Sequence, residues 1–461
     1  MTKISCLGAG SASFGLSTLI TLLQSDALRG AEIALVDTNQ ESLDLISELA
    51  NWLNKDLNAG KRISSHSRHA SALKGSEFVI SAIEVQPREK LWQQDFELSQ
   101  KYGLRQPYAE NGGPGGFAHA ARNVNTILEI VKEMETACPE ALFINFSNPM
   151  HRICYLINEY SKIKVVGLCH QIASAYAMIA KALAPIFGFE GADAFLSTHA
   201  DPANDQPQRQ MALQGFDKFA IKAAGLNHFT WLIALNDRRT GDDLYPLLRE
   251  YWEKLPEDFE PLTRKVFKYF NLFPIPGDEH LCEYLPWMSS PLTKPWQKYE
   301  LSLYDWAYFH SNRERQWQQL AAEVREKENI RPYLEPQSEG AVEIIEAVFL
   351  NRPLNWEAIN LPNGQAISGL APNAIVEVPA LVSGSGFETE SGIELPKGIV
   401  SLLQREVASS QLCIDAVVNG DRQTAIQSLL LDPVVDDLDL AEEILDEILL
   451  SYKSFLPQFF N

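Results

Sequence analysis

The chain has 461 residues, 46% hydrophobic, 21% charged and 10% aromatic, a globular composition rather than a disordered or fibrous one. With 39 Lys and Arg against 60 Asp and Glu, its formal charge is −21, which speaks against nucleic acid and anionic membrane surfaces as partners. Met1-Thr2-Lys3 leads straight into Ile4-Ser5-Cys6-Leu7 without a secretory signal, and no run approaches the ~20 apolar residues of a membrane span. The six cysteines, at 6, 138, 154, 169, 282 and 413, have no CxxC or framework spacing, so a cytoplasmic protein with reduced thiols is expected.

Short apolar runs at 4–7, 32–36, 77–83, 141–144 and 164–168 read as strands, and between them 16–23, 43–53 and 124–134 repeat apolar residues at helical spacing. Strands separated by helix-length segments predict right-handed βαβ units and a parallel sheet. Further on, 215–235 reads as β-rich, and 240–270 and 295–330 as helical. Residues 360–400 are rich in Pro and Gly around the alternating run Ala374-Ile375-Val376-Glu377-Val378, and from 400 the pattern is helical again. The predicted fold is α/β: a Rossmann-type domain over 1–190, continuous with a mixed α+β domain over 191–461.

Gly8-Ala9-Gly10-Ser11-Ala12-Ser13 falls between the first strand and the first helix. The first glycine suits the tight turn, the second allows backbone to approach a pyrophosphate, and Ser13 is small enough for close helix–strand packing. Asp37 ends the second strand, where a carboxylate accepts hydrogen bonds from a ribose 2′-hydroxyl and repels a 2′-phosphate. Gly8, Gly10, Ser11, Ser13 and Asp37 are therefore expected to bind NAD. This much fits a plain sugar or hydroxy-acid dehydrogenase, although the His–Asp pair and carboxylate-clamping Arg of the latter are not evident.

Other local sequences resemble the NAD- and metal-dependent glycosidases of glycoside hydrolase family 4. They are Gly113-Pro114-Gly115-Gly116 with Arg122, Asn145-Phe146-Ser147-Asn148-Pro149-Met150, Gly167-Leu168-Cys169-His170, Gly225-Leu226-Asn227-His228, and the stretch from Asp278 to Glu283-Tyr284-Leu285-Pro286-Trp287. Val376-Glu377-Val378-Pro379-Ala380 and Asn419-Gly420-Asp421 with Asp432-Pro433 extend the likeness, in the same order, over nearly the whole chain. Singly, Cys169 or His228 would read as core packing and Asn148-Pro149 as a turn; the ordered set reads otherwise.

The resemblance implies a glycosidase that cleaves an α-hexoside by NAD-mediated oxidation at C3, deprotonation at C2, elimination of the aglycon from C1, addition of water and re-reduction. It implies that Cys169 and His228 hold a divalent metal, Mn²⁺ by preference, acting as a Lewis acid on the sugar. It further implies His170 as general acid, Asp278 or Tyr284 as the C2 base, and Asn148, Glu110, His119 and Arg122 as substrate-binding residues. The second half would then carry substrate, metal and oligomer contacts, in a homodimer or homotetramer. His119 stands where many members carry Arg, Glu110 where they carry Asp, and Gln171-Ile172 follows Cys-His in place of the pairs familiar from known α-galactosidases and α-glucosidases. These departures leave a neutral, uronic or sulfonated hexose open, with Arg122 and His119 as the residues to bind an anion.

Overall fold

The computed structural model describes residues 2–10, 14–199, 202–290, 292–327 and 340–460. Ser11 and Ser13, two of the expected cofactor-binding residues, lie outside them, as do the last residues of the 295–330 stretch. Its strands are β1 (Lys3–Leu7), β2 (Glu32–Val36), β3 (Arg62–His66), β4 (Phe78–Ser81), β5 (Leu142–Asn145), β6 (Lys164–Gly167), β7 (Phe219–Leu226), β8 (Phe229–Asp237), β9 (Phe273–Pro274), β10 (Leu354–Pro362), β11 (Ile375–Ser383) and β12 (Gly386–Thr389). They form one sheet ordered β3-β2-β1-β4-β5-β6-β10-β11-β7-β8-β9, with β12 pairing β11.

The first six strands are parallel in the doubly wound order 3-2-1-4-5-6. Their residues, such as Ile33–Val36 and Leu142–Asn145, are buried, as expected for strands covered on both faces. Because the chain runs from β1 to β2 on one side and from β3 crosses to β4 on the other side of β1, a crevice opens beyond the carboxyl end of β1. β10 then adds antiparallel to β6 through the single pair Asn360↔Gly167 and begins an antiparallel half, so the sheet runs through both sequence halves without a break.

Three features depart from the pattern read in the sequence. β3 has only one apolar residue, Ile63, because it is a sheet edge with polar, partly exposed side chains. Helical spacing is legible in the sequence only from residue 124, but Gly113-Pro114-Gly115-Gly116 is already the first turn of the 25-residue helix Gly113–Ala137. Pro114 suits a first turn, where no N–H partner is needed, and Gly116 lets the helix start press against the preceding chain: a Cβ there would lie 2.4 Å from the carbonyl carbon of Asn111. Residues 215–218 close the helix Pro202–Lys218, and the strand begins only at Phe219.

The C-terminal helices Lys397–Asn419, Arg422–Leu431 and Leu438–Ser451 return to the N-terminal half. Cys413, Ile414 and Val417 join Phe117, Val124, Ile153 and Phe143 in one buried cluster. Among the described residues no helix is long and apolar enough to cross a membrane. All six cysteines are free thiols, and burial pushes Cys6 and Cys154 up to about 12.

Candidate active site

The parallel register decides which residues share the crevice. Leu7 pairs with Ser81, Ser81 with Asn145, and Asn145 with Gly167, so Gly8, Ala82, Phe146 and Leu168 each stand one step past a strand at the same edge. Everything that follows them (Gly10, Glu84, Asn148, Cys169) therefore gathers at one end of the sheet.

At the β1 end lies a cleft of about 350 Å³ lined by Gly8, Gly10, Asp37, Ile83, Glu84 and Ser147, among others. The Gly8 and Ala9 amides both donate to the Val36 carbonyl, folding the turn back on β2. Asp37 accepts from the Gly10 amide at 2.8 Å with Oδ2 and from the Asn39 amide at 2.8 Å with Oδ1. A Cβ on residue 10 would stand 2.7 Å from that Asp37 oxygen, so glycine is required by close approach rather than by turn angle. The three described residues expected to bind the dinucleotide thus line one cleft.

At the β6 end, Cys169 Sγ and His228 Nε2 are 3.3 Å apart although 59 residues separate them. Asn227 and His228 form the two-residue turn between β7 and β8, where Leu226 pairs with Phe229, and His228 takes a left-handed φ of 61°. A buried network ties this turn to the strand before Cys169. Glu377 of β11 accepts from Asn227 Nδ2, from Thr230 Oγ1 and from Asn360 Nδ2, while Asn360 of β10 also donates to the Gly167 carbonyl at 3.3 Å.

A thiolate and an imidazole bound to one ion at about 2.3 and 2.1 Å stand about 3.1–3.6 Å apart for angles between ~90° and ~109°. The observed separation falls within that span, so the donors fit a divalent cation. Burial, with His280, His170 and His151 adding to it, holds the His228 imidazole well below its ordinary pKa and hence neutral, the form that ligates. Among the described residues no third Cys, His, Asp or Glu joins the pair at ligand distance, which leaves coordination positions for oxygen atoms of a substrate or water.

The surroundings are polar, buried and unsatisfied. Asn148 Oδ1, Asn227 Oδ1, His228 Nδ1, His280 Nδ1, Glu283 Oε2 and the Tyr284 hydroxyl are all shut from solvent without a hydrogen-bond partner. Buried polar atoms are nearly always paired, so such a concentration marks groups that await a ligand. Tyr284 stacks on Phe229 with ring centroids 5.0 Å apart, which sets its ring beside the His228 turn. His280, which sequence reasoning passed over, lies between Tyr108 and His228, at 4.3 and 4.6 Å between centroids. Its position between the candidates Asp278 and Tyr284 in the motif was the available signal. His170 directly follows Cys169 and is exposed.

Several expected site residues have other work. Both oxygens of Asp278 accept main-chain N–H groups, of Leu262 at 2.7 Å and Thr263 at 2.6 Å, at the start of the helix Pro261–Phe270. Its carboxyl, raised by burial and by neighbouring Glu260, is a helix cap and not an open base. Arg122 forms a bidentate pair with Asp95, both contacts 2.6 Å, and lies over the Tyr452 ring, so it joins helices instead of meeting a substrate. His119 is held at both ring nitrogens, by the Glu110 carbonyl and by Glu84, and Glu110 itself pairs with Arg88. Burial opposes ionisation of Glu84, but Arg88 and His119 prevail and pull it down to about 2. Glu84 and Arg88 line the cleft, and His119 and Glu110 pair with them.

The chain matches the family model described as family 4 glycosyl hydrolase over residues 3–184 and that of the family's C-terminal domain over residues 223–435. It is 30% identical over 490 aligned residues to an alpha-glucosidase of Erwinia rhapontici, covering 96% of both chains. It is 26% identical to an alpha-galactosidase of Bacillus subtilis, with both chains covered in full. A 6-phospho-alpha-glucosidase from gut microorganisms, solved in complex with NAD and Mn²⁺, superposes with a TM-score of 0.78 at 19% identity over 99% of each chain. A 6-phospho-beta glucosidase from Thermotoga maritima, solved with manganese, NAD⁺ and glucose-6-phosphate, gives 0.78 at 20% identity over the same share of each. Turn, cleft, thiol–imidazole pair and these matches lead to one conclusion: the chain belongs to glycosyl hydrolase family 4.

Proposed function

We propose that the protein is an NAD- and divalent-metal-dependent glycosidase that cleaves a neutral, unphosphorylated α-hexoside through reversible oxidation at C3, deprotonation at C2 and loss of the aglycon from C1. The approach of Cys169 to His228, at the same edge of the sheet as the cleft lined by Gly8, Gly10 and Asp37, carries this reading. Cys169 and His228 would hold the cation, Mn²⁺ by preference, and Gly8, Gly10 and Asp37 the dinucleotide. When bound, NAD supplies a hydride acceptor and donor, and the dication supplies positive charge that polarises the oxidised carbonyl and eases ionisation of a nearby phenol.

The chain's own residues supply the rest. Tyr284 takes the base role in place of Asp278. Its hydroxyl has no partner, and burial, Glu406 and Glu283 hold the phenol protonated while Arg152 pulls the other way. His170, exposed beside Cys169, would protonate the leaving oxygen. Asn148 offers its amide to a sugar hydroxyl. The neutral substrate is supported by Arg122 and His119, which would have met an anion but are already paired with Asp95 and Glu84.

The test is a panel of nitrophenyl α-hexosides, uronides and 6-phosphates with enzyme, NAD, Mn²⁺ and a thiol reductant. Release of nitrophenol from a neutral hexoside without accumulation of NADH is expected. Stoichiometric NADH without nitrophenol would establish a dehydrogenase instead, and preference for a uronide or phosphate would overturn the substrate assignment.

A further inference from the structure

Away from the Cys169–His228 pair, His69 opens a short helix beyond β3 and faces one side of the helix Gly113–Ala137. Glu129 and Glu133, one turn apart on that helix, turn their carboxylates towards it. One donor atom from each of the three residues lies within 4.8 Å of the other two. His69 Nε2 is 3.1 Å from Glu133 Oε2 and 3.9 Å from Glu129 Oε1.

Two observations set this group apart from an ordinary ion pair. Nε2 and Glu133 Oε2 are both shut from solvent, yet at 3.1 Å they make no hydrogen bond, because the oxygen lies off the ring N–H direction. Two donors about 2.1 Å from one ion stand about 3.1 Å apart when they subtend ~95°, so the spacing is that of neighbouring ligands on a cation. Moreover, His69 is the only ion-pair partner of either carboxylate among the described residues; no Lys or Arg neutralises them. Glu129, 61% exposed, is free to swing the remaining distance.

We infer that His69, Glu129 and Glu133 form a second divalent-metal site, independent of the thiol–imidazole pair. One imidazole and two carboxylates suit a borderline cation such as Zn²⁺ and leave a position for water. His69 also lines the cleft on the side of Asp37, which puts the ion at its rim and away from the sugar end.

The probe is Zn²⁺ alone, titrated calorimetrically into chelator-stripped, reduced full-length protein. Two equivalents are expected in the native chain, one in Cys169→Ser/His228→Ala, and that remaining equivalent lost or weakened at least ~100-fold, ~2.7 kcal/mol, by His69→Gln or Glu133→Gln. Should the double variant fold poorly, the same two substitutions in the native chain take two equivalents to one. Binding unchanged by both substitutions, or a single native equivalent that disappears in Cys169→Ser/His228→Ala, overturns the site. Failure of the catalytic assignment looks different: the native chain and the Cys169/His228 variant would then take up equal amounts of zinc, with the His69 result untouched.

Discussion

At the scale of single residues, two candidates for one role separate by what their oxygen atoms touch. The Asp278 carboxylate satisfies two main-chain amides and Tyr284 satisfies nothing. Asp278→Ala should therefore lower stability by about 1–3 kcal/mol in denaturant unfolding. Tyr284→Phe should leave the unfolding midpoint unchanged and lower kcat by ~10²–10⁴. Motif order located this pair of candidates but had no means to choose between them, because sequence does not record which way a carboxylate turns. The same holds for Arg122 and His119, whose partners Asp95 and Glu84 come from a different segment. Glu283 adds a pH signature. Burial, with Glu110 and Asp432 adding to it, raises its carboxyl to about 8 despite two amide donors. Between its unfolded pKa near ~4.5 and that value, the folded state binds more protons than the unfolded one, so this residue makes stability fall as pH rises through the window. Melting of the ligand-free protein should show the decline, and Glu283→Gln should flatten it.

At the scale of elements, the parallel strands were legible because strands buried on both faces are written as short apolar runs, as in β2 and β5. β3 was not, being an edge that needs little burial, and the helical start at Gly113 was hidden because glycines in a first turn look like a loop. The metal pair was legible only as two separate motifs. What brings them together, Asn360 and Glu377 on β10 and β11, carries no local signal of that function. Glu377→Gln places an amide where Asn227, Asn360 and Thr230 all need an acceptor. It is expected to weaken Mn²⁺ binding ~10–100-fold in a titration followed by electron paramagnetic resonance, with the fold retained.

At the scale of the whole molecule, the two sequence halves share one sheet and one core. The helix Lys397–Asn419 buries Cys413, Ile414 and Val417 against residues that precede position 160. A fragment ending at residue 190 would expose that apolar surface, and in calorimetry it should show no cooperative transition, whereas the full chain should unfold cooperatively. The division expected from sequence describes how the chain is written more than how its core is packed.

The sheet changes direction where β10 meets β6, through one residue pair, and Cys169 and His228 hang from strands on opposite sides of that junction. An ion gripping both would tie β6 to the β7–β8 turn across that single-pair joint. Occupancy should then stiffen the joint, and amides of β6 and β10 should exchange hydrogen more slowly in the loaded protein than in the stripped one.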